Sequence, residues 1–257
     1  MRGGAQSHLM RADDGQFYVV KFQNNPQHRR VLANELLATR LAERIGLTVP
    51  ETRVIDVSAW LVSNTPELTI QVASGNEPCR PGLNFATRFA LDPFDGEVLD
   101  YLPMELLARV ENVAEFAGML CLDKWTCNSN GRQAIFLRRA RKKKYQACFI
   151  DQGYCFNAGE WDFPDAPLRG VYSRNEVYAG IRSWDSFEPW LSRVEQMRES
   201  TIADCAEGMP PEWYGDPSDL ERLLETLARR RGRVRELITA FRKSSREPFP
   251  LWRDAIA

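Results

Sequence analysis

The stretch from residue 7 to residue 45 constrains the fold more than any other part of the chain. Residues 7–12 and 17–22 flank Asp13-Asp14-Gly15, a turn composition that joins two strands in a tight hairpin. In the second strand, Phe17-Tyr18-Val19-Val20-Lys21-Phe22, alternation puts Phe17, Val19 and Lys21 on one face and Tyr18, Val20 and Phe22 on the other. Asn24-Asn25-Pro26-Gln27 ends the strand. The apolar spacing then lengthens: Leu37, Leu41 and Ile45 recur every fourth residue, which predicts a helix over residues 30–45 with Gly46 as its stop. A hairpin followed directly by a helix commits the chain to an α+β start.

The rest of the chain changes character. Pro50 opens an extended stretch through Val54, Ile55 and Val57, with Trp60-Leu61-Val62 as its expected hairpin partner. Residues 73–84, rich in Gly, Pro and polar residues, are the expected connector between two parts. Beyond it the sequence predicts a helix over 103–122, strands over 133–137 and 145–150, and helices near 174–182, 184–198, 217–230 and 233–243. Asp216-Pro217-Ser218 supplies a helix start. At roughly 100–200 residues per domain, 257 residues make one large domain or two small lobes. The division expected is a β-rich lobe with one helix over 1–85 and a mostly helical lobe over 86–257.

Composition excludes several functions. With 34 Lys+Arg against 35 Asp+Glu, the chain has no basic coat. Arg138, Arg139, Arg141, Lys142, Lys143 and Lys144 crowd one turn, which reads as a solvated hairpin tip, so no nucleic-acid partner is expected. Arg229, Arg230, Arg231, Arg233 and Arg235 have Glu221, Glu225 and Glu236 in helical reach and read as a solvated helix face. Two histidines, His8 and His28, rule out chemistry built on several histidines. Cysteines 79, 121, 127, 148, 155 and 205 include no Cys-x-x-Cys pair and read as buried residues of a reducing compartment. No apolar run approaches the ~18 residues of a membrane span. Met1-Arg2-Gly3-Gly4 leads into polar chain without a signal peptide, so a cytoplasmic location is expected.

Four separated signals fit one chemistry. Lys21 on its strand and Glu35 on the following helix match the lysine–glutamate pair that holds the α- and β-phosphates of a nucleotide. Val19, on the same strand face, is placed to touch adenine. Asp123-Lys-Trp-Thr-Cys-Asn128 has the spacing of a phosphoryl-transfer loop, with Asp123 accepting the substrate's hydroxyl proton and Asn128 binding magnesium. Asp151-Gln152-Gly153 closes an apolar strand, where a carboxylate suits a magnesium ligand that chelates phosphates. Gly3-Gly4-Ala5-Gln6-Ser7-His8 stands where a phosphate-covering loop belongs; Gly3, Gly4 and Ser7 are its candidate contacts. Glu160-Trp161-Asp162 follows where substrate contacts are expected, and Trp161, Trp184, Trp190 and Trp213 are candidate core anchors.

The stretches GGAQSHLM, YVVKFQNNPQ, LANELLATRLAERIGLTVPETRVI, DKWTCNSNGRQAIF and FIDQGYCFNAGEW together resemble the HipA-like kinases. The resemblance implies a two-lobed protein-kinase-like fold, ATP, magnesium, and γ-phosphoryl transfer to Ser or Thr of a protein, with a regulatory protein partner conceivable. In that family the proton-accepting Asp commonly lies in an Asn-x-Asp-x-His/Arg stretch. Aligned so, Asn128 is the Asn, Asn130 occupies the Asp position, and Asp123 is structural. Two registers stay open: Asp123 as base with Asn128 on magnesium, or Asn130 at a weakened position, which allows a nucleotide-binding pseudokinase. Kinase-like lobes usually carry a strand before the glycine loop, so a truncated or misassigned start is expected.

Overall fold

The computed structural model describes residues 4–91 and 96–253. Gly3 lies outside the described residues. Strands β1 (His8–Arg11) and β2 (Phe17–Lys21) form the expected hairpin, with Leu9 opposite Val19. Gly15 takes φ +77°, and Asp14 clamps the turn by accepting from Gln16 N at 2.8 Å and Tyr18 OH at 2.7 Å. Helix α1 (Val31–Arg44) follows, and Gly46 at φ +86° closes it. There Leu47 N reaches Ala42 O at 3.0 Å and Gly46 N reaches Glu43 O at 2.9 Å, a Schellman pairing that satisfies the last carbonyls.

After β3 (Thr52–Val57) the structure departs from the sequence reading. Residues 60–62 are not a strand but lie in α2 (Ala59–Asn64), because Ser58 accepts from Leu61 N at 3.1 Å and caps a helix. Residues 73–84 are not a connector. They enter β5 (Gly75–Pro78), which pairs with β4 (Thr69–Val72), and begin β6 (Gly82–Arg88). Strand β6 inserts between β2 and β3, giving an antiparallel sheet of order β1-β2-β6-β3. Residue 85 therefore falls within a strand. Tyr18, Val20 and Phe22 pack with Val57, Leu68 and Ile70 on one face of this sheet, and alternation turns Val19 and Lys21 to the opposite face.

A second sheet holds β7 (Gly96–Leu99), β8 (Gln133–Arg139) and β9 (Gln146–Ile150). The predicted 103–122 helix is two helices, α3 (Met104–Leu107) and α4 (Glu115–Trp125). Every residue of α4 after Glu115 is buried. The helix expected near 174–182 is only a 3-10 turn over Asn175–Tyr178. Short helices α5 (Trp190–Glu195) and α6 (Glu199–Asp204) come next, the latter unexpected, and then α7 (Pro217–Arg230) and α8 (Val234–Arg242), close to expectation. Pro189 breaks the predicted 184–198 helix into a 3-10 turn and α5. One apolar core runs from α1 through α4 to α8 and joins the two sheets' surroundings into one body. All six cysteines are buried and free. Of the tryptophans, Trp213 is buried, while Trp161, Trp184 and Trp190 pack half-buried on the core. Arg230 is not on a solvated face. It is buried, bonded to Trp125 O at 2.9 Å and to Asp165. No helix among the described residues is long and apolar enough to cross a membrane.

Candidate active site

A cleft of about 430 Å³ opens between the two sheets. Residues 4–7, Val19, Lys21 and Phe85 line it from the first sheet; Val98, Gln133, Ile135 and Asp151 line it from the second. Val19, Phe85, Ile135 and Phe149 supply apolar lining, and Lys21, Glu35 and Asp151 bring charge together in it.

Those charges form a chain. The Lys21 ammonium is ion-paired with Glu35 and lies 2.9 Å from Asp151 Oδ1. Lys21 arrives on β2, Glu35 on the buried side of α1, and Asp151 at the end of β9, so three distant segments meet. Glu35 is held in turn by Gln152 N at 3.0 Å and Gly153 N at 2.9 Å. This explains the glycine: a Cβ at residue 153 would stand 2.7 Å from Val31 Cγ2 and 3.1 Å from Glu35 Oε1. Asp151 itself takes φ +62°, a left-handed conformation that Asp tolerates better than most residues.

Lys21 and Asp151 are held in their charged forms. Burial works against the Lys21 charge, but Glu35 and Asp151 outweigh it and hold its pKa above the ordinary 10.5. Burial also opposes the Asp151 carboxylate, and the Lys21 ammonium outweighs that too, holding its pKa below 3.8. For Glu35 burial wins, and its carboxyl sits above the ordinary value despite Lys21.

The glycine loop is pinned from two sides. Gln6 exchanges two hydrogen bonds with the Gln71 backbone, at 2.8 and 2.7 Å, and Asn25 Nδ2 donates to Ala5 O at 2.8 Å. Gly4 and Ser7 line the cleft beside Lys21.

The structure does not bring Asp123 to the cleft. Its side chain is 1% exposed, and both carboxylate oxygens are taken: Oδ1 by Arg132 and by Asn128 Nδ2 at 2.9 Å, Oδ2 by Arg132 Nε at 3.1 Å. The side chain is thus enclosed and lines no part of the cleft. Asn128 is equally enclosed, its Oδ1 accepting from Asn130 N at 3.1 Å, so it lines no part of the cleft. Of the two registers open in the sequence, this geometry accords with the one in which Asp123 is structural: the spacing of five builds a buried bracket for the loop. Asn130 is exposed on that loop, three residues before Gln133.

Sequence reasoning missed three residues. Gln133 opens β8 opposite Ile150 and donates from Nε2 to Asp151 Oδ2 at 2.7 Å; a strand register would have found it. Arg132 links the buried bracket to the cleft, donating to Ile150 O at 3.0 Å behind Asp151. Asn34, one residue before Glu35, donates to Gly153 O, Cys155 O and Ala158 O and accepts from Trp161 Nε1 at 2.7 Å. It holds the loop after Asp151, whose Phe156, Asn157, Ala158 and Trp161 all have positive φ. That loop returns to the bracket at Gly170, where a Cβ would touch Asn128 and Asp123 Cβ atoms at 2.9 and 3.0 Å.

A sequence model of HipA-like kinases matches residues 1–158, more than half of the chain. The chain belongs to the HipA-like kinase family. No curated protein matches the sequence significantly. Among solved structures, this HipA-like kinase resembles Helicobacter pylori proinflammatory kinase CtkA, with a TM-score of 0.55 at 15% identity over 91% of this chain and 93% of that one. Shewanella oneidensis MR-1 HipA, solved with HipB and operator DNA, gives 0.56 at 13% identity, covering 93% and 67%. The Golgi casein kinase with Mn/ADP bound gives 0.53 at 12% identity, covering 95% and 72%. The fold is protein-kinase-like, as the sequence resemblance implied. Family and fold together support a kinase-like phosphotransferase.

Proposed function

We propose that the protein is an ATP- and magnesium-dependent kinase that phosphorylates serine or threonine of a protein substrate. The observation that carries this is Lys21, held between Glu35 and Asp151 in a cleft that Val19, Phe85 and Ile135 also line. Lys21 binds the α- and β-phosphates, and Glu35 fixes its position. Gly4 and Ser7 cover the phosphates, with Gly3 beside them in sequence. Val19 and Ile135 receive the adenine. In the same proposal the parts of the chain on either side of the segment after Arg88 act as two lobes, in place of a boundary at residue 85.

Magnesium fits the donors present. Asp151 offers carboxylate oxygens, and Gln133, after an amide flip, offers a carbonyl oxygen at the same place. Among the described residues no group of three or more His, Cys, Asp or Glu is arranged to hold a metal, so phosphates and water would complete the shell. When bound, the cation supplies neutralisation of the phosphate charge.

The polypeptide acceptor is placed along the exposed stretch around Glu160 and Asp162, which the Asn34 anchor holds near the Asn130 loop. A regulatory protein partner is proposed by analogy with the HipA that was solved with HipB. A cytoplasmic location accords with six free buried cysteines.

Purified protein given labelled ATP and magnesium should label itself or an added protein, and Asp151→Ala should abolish this. Full activity in that variant would overturn the metal assignment. One observation favours a second reading, a nucleotide-binding module of weak turnover. Asn130 carries an amide where a carboxylate would accept the proton, although the loose transition state of phosphoryl transfer needs little base. Stabilisation of the fold by ATP without turnover would favour that module; robust turnover would exclude it.

A further inference from the structure

We propose that Asn130-Gly131 is a self-modification site, at which loss of the Asn130 side-chain amide creates the carboxylate that the loop lacks. The inference rests on the reading of Asn130 as the proton-accepting position; the chemical step itself does not.

Asn130-Gly131 is the only Asn-Gly pair in the sequence. Both residues are exposed to water. The Gly131 N–H donates to Asn130 Oδ1 at 2.8 Å, so the peptide nitrogen already lies beside the side-chain carbonyl carbon. The backbone is held on both sides of this contact. Before it, Asn130 N donates to Asn128 Oδ1 at 3.1 Å; after it, Arg132 N donates to Val171 O at 3.2 Å and its guanidinium is buried on Asp123. Neither packing nor backbone conformation demands the glycine. Its φ is not left-handed, and a Cβ there would meet nothing nearer than Val171 O at 4.0 Å. What the missing side chain does provide is an unhindered nitrogen.

The step balances without a redox partner. Gly131 N loses its proton to solvent base and bonds to Asn130 Cγ. The Cγ–Nδ2 bond breaks, ammonia leaves, and a five-membered imide closes. Water then opens the ring to a carboxylate. Opening at the main-chain carbonyl gives an isoaspartyl link, which lengthens the backbone by one atom. Opening at the side-chain carbonyl gives an aspartyl residue with the backbone preserved.

The test is to age the purified full chain at mildly alkaline pH and map its peptides by mass spectrometry, while following phosphoryl transfer. Expected is a gain of one dalton at residue 130 alone, with part of the product cleaved by a protease specific for aspartyl and not isoaspartyl bonds. Gly131→Ala should slow the conversion roughly tenfold, a barrier change of about 1.4 kcal/mol. Asn130→Gln, which closes no such ring readily, should keep its amide. Residue 130 remaining an amide, or yielding only the isoaspartyl form, overturns the proposal. If the aspartyl product forms but Asn130→Asp transfers phosphate no faster than fresh wild type, the modification stands and the proton-acceptor reading falls.

Discussion

Two buried charge clusters meet at the end of β9, and they differ in one respect that separates function from scaffold. Lys21, Glu35 and Asp151 meet at a cleft. Asp123, Arg132 and Asn128 meet where nothing enters, with the Asp123 and Arg132 side chains both 1% exposed. The closed cluster is saturated: every oxygen of Asp123 has a donor. The open cluster sets two carboxyl groups around one ammonium and faces the cleft, where a cation can approach the Asp151 carboxylate. Burial alone marks neither as a site. Facing a cavity marks the first, and enclosure marks the second as a frame.

The largest effect should come from breaking the frame. Asp123→Ala leaves the Arg132 guanidinium buried without its partner and should cost about 3–5 kcal/mol, measured by urea unfolding. Residual activity should fall only with the folded fraction. A variant that folds with wild-type stability yet transfers no phosphate would return Asp123 to the chemistry and reverse the comparison.

Next is the open cluster. Lys21→Met should reduce phosphoryl transfer by about 10²–10³-fold, the loss expected of one preorganised charge-stabilising group. It also steepens a pH dependence that the raised Glu35 pKa already gives the wild type. In the wild type, Asp151 has a depressed folded pKa, so its contribution is lost only as pH falls through a value below 3.8; that of Lys21 is lost only above 10.5. Stability from this pair is thus flat across neutral pH. Without Lys21, Glu35 has no cation and its folded pKa rises further. The folded state then binds more protons than the unfolded one, so the variant should lose stability as pH rises from the ordinary Glu value of 4.5. Parallel stability–pH profiles of variant and wild type would count against the cluster as drawn.

The open cluster was the more legible of the two in sequence, and the reason is local. Lys21 sits on a strand whose hairpin turn and alternation are explicit, Glu35 on a helix with a glycine stop, and Asp151 beside a glycine that contact with Glu35 requires. The closed cluster is ambiguous in sequence because Asp123 and Asn128 have a spacing that serves either role. What decides between the roles is Arg132, nine residues beyond Asp123, reaching back across the loop. Gln133 escaped notice for a similar reason: its importance arises from pairing opposite Ile150, a register set by two strands. The fold errors follow the same pattern. Three apolar residues at 60–62 suit a strand or a helix, and only the Ser58 cap decides. Strand β6 pairs with β2 and β3 from far along the chain, so no local signal marks it.

Gly153→Ala tests the contact between α1 and the loop after Asp151. The added methyl meets Val31 and Glu35 at distances too short to keep, so about 1–3 kcal/mol of stability should be lost. Because Glu35 is one of the displaced atoms' owners, affinity for a magnesium-bound ATP analogue should fall in the same variant, measured by calorimetry. Stability loss without loss of affinity would place Glu35 outside the nucleotide's influence.

Gly118→Ala supplies the matching change away from both clusters. Gly118 lies in α4, and a Cβ there would stand 2.4 Å from the Trp190 ring. Two effects oppose each other. Alanine favours a helix by about 1 kcal/mol over glycine, while forcing a methyl into a filled space costs about 1–3 kcal/mol. Trp190 is only half-buried, so its ring has room to turn outward, and the net loss should be about 0–2 kcal/mol. Thermal melts measure it. Gly118 lines no part of the cleft, and its neighbours touch neither Lys21 nor Asp151. Affinity for the ATP analogue should therefore stay at the wild-type value while the melting temperature drops. If affinity falls as it does for Gly153→Ala, the core transmits strain to the cleft, and the division between a working cluster and a framing one is less sharp than the contacts make it.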